Sequence, residues 1–279
     1  MKKLIVSHIR NEEYLLRFWL TYHKKYFDHG VIIDYGSTDK SVDVIKEICP
    51  TWDIIPSRYE QMGTDTMDLQ VEEEESRFPG WWKTCLSTTE FLVGDFNKLD
   101  SITEPTKIAV PQFQMVDKVT ETSNNPDTSI DLIRQKKYGI HYNDKINYPS
   151  EKFMDNKSDQ RLEGWIRSLR NGWKTRRTRI LHNFTHKHKY PLGRHYDNFN
   201  DADKENFIIL YYRFSPWNNS MQSRIIDIQN NMTQNDKNKG LGIEHLLSIE
   251  GAMAWHKVWE ESSRDLSEEI DFFIKKLPK

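Results

Sequence analysis

With 279 residues, 37% of them hydrophobic and nine of them tryptophan, the chain holds enough apolar material for a packed core, which excludes global disorder. Its 40 basic and 42 acidic side chains leave a formal net charge of -2, a balance that argues against a dedicated nucleic-acid binder. Cys49 and Cys85 both sit in apolar surroundings, which excludes a disulfide framework and fits buried thiols in a reducing, cytoplasmic compartment.

Residues 3–9 (KLIVSHI) form an apolar run of strand length. Charges at Arg10, Glu12 and Glu13 end it before it reaches the roughly 7–15 apolar residues of a signal peptide. In the following segment Leu15, Phe18, Trp19, Tyr22 and Tyr26 recur at helical spacing behind two first-turn glutamates. VIID (31–34) reads as a second strand. Thr38 or Asp39 is placed to cap a helix burying Val42, Ile45 and Ile48, and WDIIP (52–56) gives a third strand. Strand, helix, strand, helix, strand predicts a doubly wound α/β sheet.

Residues 65–77 predict an acidic helix whose glutamates form a solvated face. The stretch 81–95 (WWKTCLSTTEFLVGD) reads as one buried strand ending in a polar turn, and 107–117 as another strand. Residues 118–130 form a polar, mobile loop. Arg170, Lys174, Arg176, Arg177 and Arg179 precede His182, His186 and His188 in a basic segment. Ser215-Pro216 opens a helix, with Ser215 as its cap, and Leu266, Ile270, Phe273 and Leu277 mark a final one. No stretch approaches the ~20 apolar residues of a membrane helix. The expected division is a domain over 1–200 and a helical C-terminal extension over 201–279.

Three segments in order carry a resemblance: the strand with Arg10-Asn11-Glu12, then IIDYGSTDKS (32–41), then WWKTCLSTTEFL (81–92). They resemble family 2 glycosyltransferases over about the first 120 residues, where that family shows K/R-N-E, D-x-G-S-T-D and a strand ending D-x-D-E-F. The resemblance implies a GT-A fold, Rossmann-like with a mixed, mostly parallel sheet. It implies inverting transfer of a sugar from a nucleotide-diphosphate donor to a glycan or lipid-linked acceptor. It places Ile9, Arg10, Asn11, Glu12, Asp34, Gly36, Ser87, Thr88 and Thr89 around the nucleotide, with Asp34 on the base or ribose and Asp39 holding the loop. Strand ends are also where open α/β sheets bind ligands.

One departure bears on the chemistry. The family's D-x-D holds Mg²⁺ or Mn²⁺, whereas this chain has Ser87-Thr88-Thr89 before Glu90-Phe91. Hydroxyls supply no charge to a hard cation. Three readings stay open: a metal-independent enzyme with Lys174, Arg176, Arg177 and Arg179 on the diphosphate; a weak metal site from Glu90, His186 and His188; or a silent nucleotide-sugar or carbohydrate-binding protein. Asp117 is the expected catalytic base, with Asp95 as the alternative. Trp81, Trp82, Trp173 and Trp217 are candidates for sugar stacking, against the plainer reading as core residues. A dinucleotide enzyme is disfavoured, because no G-x-G-x-x-G follows the first strand.

Overall fold

The computed structural model describes residues 1–118, 125–146, 177–195, 198–239, 241 and 246–278. The expected mobile loop lies partly outside them, and Trp173, Lys174 and Arg176 lie outside them altogether.

The first half builds a parallel block. Strand β1 (Lys3–Ile9) pairs with β2 (His29–Asp34) on one side and β4 (Trp82–Cys85) on the other, and β2 pairs with β3 (Asp53–Pro56). Helices α1 (Glu13–His23) and α2 (Ser41–Ile48) make the crossovers. The register aligns Ile9 with Asp34 and Val6 with Cys85, so the carboxyl ends of the parallel strands share one edge. The apolar spacing of α1 meets this sheet: Leu15, Trp19 and Tyr22 are fully buried in one cluster with Ile5, Ile9 and Ile32. Polar handles fix the dock. Trp19 Nε1 donates to Glu90 O at 2.9 Å and Tyr22 Oη to Leu92 O at 2.8 Å.

The expected single strand over 81–95 is two. After β4 the chain turns at Leu86–Thr89 and resumes as β5 (Glu90–Gly94), which departs from β4 and pairs antiparallel with β9 (Phe207–Phe214). Glu90 N donates to Ser87 O at 2.8 Å and Ser87 N to Glu90 Oε2 at 2.9 Å, so the turn closes on itself. Short helix α4 (Phe96–Asp100), β6 (Lys107–Val116), α5 (Leu132–Gln135), β7 (Tyr138–Ile140) and β8 (Thr178–His182) follow. Strand β8 bridges β6 and β4 antiparallel, while β6 pairs with β9 parallel, so the sheet is mixed.

Beyond β9 come α6 (Asn219–Asn231), α7 (Gln234–Lys239), α8 (Ile249–Ser262), the short β10 (Arg264–Asp265) and α9 (Ser267–Ile274). Helix α6 starts later than Ser215-Pro216 suggests. Its cap is Asn218, whose side chain accepts from Met221 N. A second apolar cluster joins Met221 and Ile225 to Trp255, Val258 and Trp259, under Val116 and Phe214. The result is a mixed α/β sheet flanked by helices, with a largely parallel centre. Among the described residues no helix is long and apolar enough to cross a membrane.

Candidate functional site

A cleft of about 370 Å³ opens at the carboxyl edge of the parallel strands. His8 reaches it from β1, Glu12 from the β1–α1 junction, Ser87 and Thr89 from the β4–β5 turn, and Thr64 and Met67 from the start of helix α3 (Thr64–Ser76). Arg177 and Arg179 enter from β8 and the residue before it, and Gly193, Arg194 and His195 from a 3-10 turn (Leu192–Arg194) and its flank. Tyr211 of β9, Arg224, Ile228 and Met232 of α6 and its end, and Asp236 of α7 form the facing wall, with Met62 and Leu241 beside them.

Three of the wall arginines are each held by a carboxylate. Arg179 Nε donates to Glu90 Oε1 at 2.8 Å, Arg224 Nε to Glu12 Oε2 at 2.7 Å, and Arg194 Nη1 to Asp68 Oδ1. Formal charge nearly cancels, but hydrogen-bonding capacity does not. A guanidinium carries five N–H donors, and a single carboxylate bond consumes one or two. Among the described residues Arg194 Nε is buried without a partner, as are His8 Nδ1 and Asp236 Oδ1. An unsatisfied buried polar group costs about 1–3 kcal/mol. Three of them around one hollow give the cleft hydrogen-bonding capacity that its own described residues do not satisfy. Burial, followed by Arg194 and Arg179, pulls the His8 imidazole well below its ordinary pKa. Burial and the same arginine neighbourhood bring His195 down to about 3. Both rings are therefore neutral at pH 7.

Helix α3 explains why Arg194 stands where it does. The expected solvated acidic face is in part a buried one: Asp68, Glu72 and Glu75 are spaced for one side of a helix and are at most 8% exposed. They hold the segment 187–194 like a strap. Asp68 accepts from Gly193 N at 2.7 Å and from Arg194, Glu72 from Tyr190 N at 2.8 Å, and Glu75 from Tyr190 Oη at 2.9 Å. Gly193 and Arg194 both adopt positive φ, 72° and 60°. Glycine tolerates that conformation; arginine does so at a cost, and such strain clusters at ligand sites.

The sequence-expected residues divide. Glu12, Ser87, Thr89, Arg177 and Arg179 line the cleft. Thr88 lies behind it, its hydroxyl donating to Glu12 Oε2 at 2.8 Å. Ile9 is core. Arg10, Asn11, Asp34 and Gly36 form a neighbouring loop scaffold. Asp34 Oδ1 accepts from Ser37 N and Oγ at 2.9 and 2.7 Å, Gly36 takes φ 75°, Asn11 Oδ1 accepts from Thr38 N at 2.8 Å, and Arg10 Nη1 donates to Tyr35 O. Asp39 braces both helix starts, accepting from Ser41 N at 2.9 Å and Glu13 N at 3.0 Å.

Glu90, His186 and His188 do not come together. Glu90 is fully buried, with Oε1 accepting from Gln112 Nε2 at 2.6 Å and from Arg179, and Oε2 from Ser87 N. The histidines belong instead to an aromatic group with His182 and Phe184 at the other end of β8. His182 is a buried β8 residue whose Nε2 lies 3.1 Å from Glu75 Oε2. Among the described residues no group of three or more His, Cys, Asp or Glu side chains is placed to hold a metal. The donor set thus does not fit the Mg²⁺ or Mn²⁺ that D-x-D would imply.

Neither expected base lines the cleft. Asp117 is 1% exposed and accepts from Ser215 Oγ, Trp217 N at 3.0 Å and Lys136 Nζ at 3.3 Å, tying β6 to the start of the helical segment. Asp95 lies past the far end of β5 and caps α4 through Lys98 N. The described tryptophans of the stacking hypothesis serve the core or its rim: Trp82 Nε1 donates to Leu99 O at 2.9 Å, Trp217 stacks on His256 with ring centroids 4.5 Å apart, and Trp81 lies under Lys2.

Fold and cleft together define a mixed α/β protein with an arginine-lined pocket at the carboxyl ends of its parallel strands. No protein-family model matches the chain, and no curated protein matches it. Among solved structures it is similar to S. aureus TarS, at 13% identity and a TM-score of 0.29 over 43% of this chain and 22% of that one. TarS 1–349 in complex with UDP-GlcNAc gives 13% identity and a TM-score of 0.29, over 46% of this chain and 37% of that one. TarS 1–349 alone gives 11% identity and a TM-score of 0.30, over 98% and 83%. The chain thus spans well under half the length of the first two, and likenesses at these scores carry no functional argument.

Proposed function

We propose that the cleft binds the nucleoside diphosphate of a nucleotide-sugar donor and that the protein is a glycosyltransferase acting without a D-x-D metal. The observation that carries this reading is the meeting of Arg177, Arg179, Arg194 and Arg224 with the β1 and β4–β5 strand ends in one cleft. Arginine's planar fork suits phosphate oxygens. Fixed guanidinium donors would stabilise the charge that develops on a leaving diphosphate. In the transfer an acceptor hydroxyl attacks the anomeric carbon, the bond from that carbon to the diphosphate oxygen breaks, and that oxygen keeps the electron pair. Glu12 lines the cleft with Oε2 committed to Thr88 and Arg224, and we assign its Oε1 as acceptor of the hydroxyl proton. In this reading residues 1–200 supply most of the cleft, and the segment 201–279 closes it through Tyr211, Arg224, Ile228, Met232 and Asp236. A glycan or lipid-linked molecule is the proposed acceptor.

A second reading, a silent nucleotide-sugar-binding protein, is favoured by one observation: the two carboxylates that line the cleft, Glu12 and Asp236, each have one oxygen already engaged by two donors. Titrating UDP-, GDP- and dTDP-sugars with and without EDTA, while following donor hydrolysis, separates the two. Chelator-insensitive turnover supports the enzyme, and binding without turnover supports the silent protein. Absence of binding to all three donors refutes both.

A further inference from the structure

The cleft has two unlike ends. Along α6 and its C-terminal cap, Arg224, Ile228 and Met232 follow at four-residue steps on the cleft face, so the wall passes from cationic to apolar over about 12 Å. Met62, Met67 and Leu241 widen the apolar end. Met62 is tied to Met232 by main-chain pairing and donates its N–H to Asn231 O at 2.8 Å. Methionines adapt to flat aromatic rings through polarisable sulfur contacts.

Asp236 stands at this apolar end, 2% exposed. Its Oδ2 accepts from Thr64 N at 2.7 Å and from Thr64 Oγ1 at 2.8 Å, while Oδ1 is buried and has no partner among the described residues. A carboxylate oxygen in an apolar slot, with its twin already satisfied, calls for a single N–H donor. The arginine end supplies donors for phosphate, and the methionine end supplies a slot and one acceptor for a ring.

We infer that the methionine slot seats the base of the nucleotide and that Asp236 Oδ1 accepts its ring N–H, which selects uracil, thymine or guanine over cytosine and adenine. This rests on the proposed nucleoside-diphosphate reading, and it moves base recognition from Asp34 to the C-terminal segment. Uracil and thymine present N3–H and guanine N1–H. Cytosine N3 and adenine N1 are acceptors and would face the carboxylate lone pairs.

In the variant Asp236→Asn, the two donors of Thr64 fix the amide oxygen at the Oδ2 position. The amide N–H then points where Oδ1 was, and the preference turns toward ring-nitrogen acceptors. The test is calorimetric titration of the full chain with UDP, GDP, CDP, ADP, inorganic pyrophosphate and 3-methyluridine 5′-diphosphate. Expected for the native chain is binding of UDP and GDP roughly 10- to 100-fold tighter than CDP and ADP, with the N3-methyl analogue reduced to the CDP level. Asp236→Asn should invert the order and leave pyrophosphate affinity unchanged. Equal affinity for UDP and its N3-methyl analogue, or an unaltered order in the variant, overturns the assignment while leaving the diphosphate reading intact. No binding of any nucleotide or of pyrophosphate overturns the underlying reading itself. The analogue arm uses the native chain, so it decides even if the variant does not fold.

Discussion

Replacing Arg179 by Met keeps the aliphatic stem and removes the cation, which separates the residue's structural role from its proposed binding role. Glu90 would remain fully buried, still accepting from Gln112 Nε2 at 2.6 Å and Ser87 N at 2.9 Å but without its counter-charge. Breaking a buried ion pair by deleting one partner costs about 3–5 kcal/mol. The two surviving bonds place this case near the lower figure, about 3 kcal/mol. At about 2–4 °C per kcal/mol for a chain of this size, Tm should fall by about 6–12 °C. The double variant Glu90→Gln/Arg179→Met removes both charges and should recover Tm to within a few degrees. Affinity for a nucleoside diphosphate should behave differently. Loss of a charge-assisted bond worth about 1.5–3 kcal/mol should weaken binding by roughly 10- to 100-fold in the single and the double variant alike. Differential scanning fluorimetry and calorimetry on the same samples read both quantities. If the double variant regained native affinity along with native Tm, Arg179 would be only the counter-ion of Glu90. An unchanged Tm in the single variant would refute the buried-pair argument.

Two further outcomes follow from buried titratable groups. Burial brings His23 down to about 3, and its partners fix a neutral ring, with Nδ1 donating to Trp19 O at 3.0 Å and Nε2 accepting from Leu92 N at 3.3 Å. His23 and His195 both lie below the unfolded value of 6.5, so their contribution is complete above pH 6.5 and is lost as pH falls toward 3. The slope is about 1.4 kcal/mol per pH unit per histidine. His23→Gln should flatten the fall in urea-measured stability between pH 6.5 and 4.5 by about that amount, and parallel curves would sink the argument. Asp117→Asn should lower stability by about 2–4 kcal/mol, because it loses Lys136 and turns an amide toward donors, yet leave nucleotide affinity native. A variant that melts normally but loses donor turnover would return Asp117 to the chemistry.

What the sequence made legible was the part governed by local periodicity. The run KLIVSHI, the α1 stripe Leu15–Trp19–Tyr22 and the apolar VIID segment report buried faces directly, and the parallel block follows from their alternation. The β4–β5 break was hidden because Ser87, Thr88 and Thr89 are compatible with a strand. Only the reciprocal bond between Ser87 and Glu90 makes them a turn. The acidic helix was misread for a related reason. Asp68, Glu72 and Glu75 look solvated until the strap 187–194, far away in sequence, supplies their donors. Arg194, Arg224 and Asp236 carry no local signal at all. Their relevance comes from tertiary placement at the edge of a cleft.

The same long-range logic accounts for how a chain of net charge -2 can present an arginine cleft. Three carboxylates are spent on orienting guanidinium groups of the wall: Glu90 on Arg179, Asp68 on Arg194, Glu12 on Arg224. The pairs cancel charge at long range, so steering of an anionic ligand by the whole molecule is weak. At contact distance the balance shifts, because a paired guanidinium keeps N–H donors beyond those its carboxylate takes, while Glu90 and Asp68 are not among the residues that line the cleft. Recognition in such a cleft depends on fixed donor geometry more than on field strength, and its salt dependence should be shallow compared with that of an exposed basic patch. The left-handed backbone at Arg194 fits this arrangement: the strain is held by the acidic face of α3, and it places one guanidinium where a flexible loop would not.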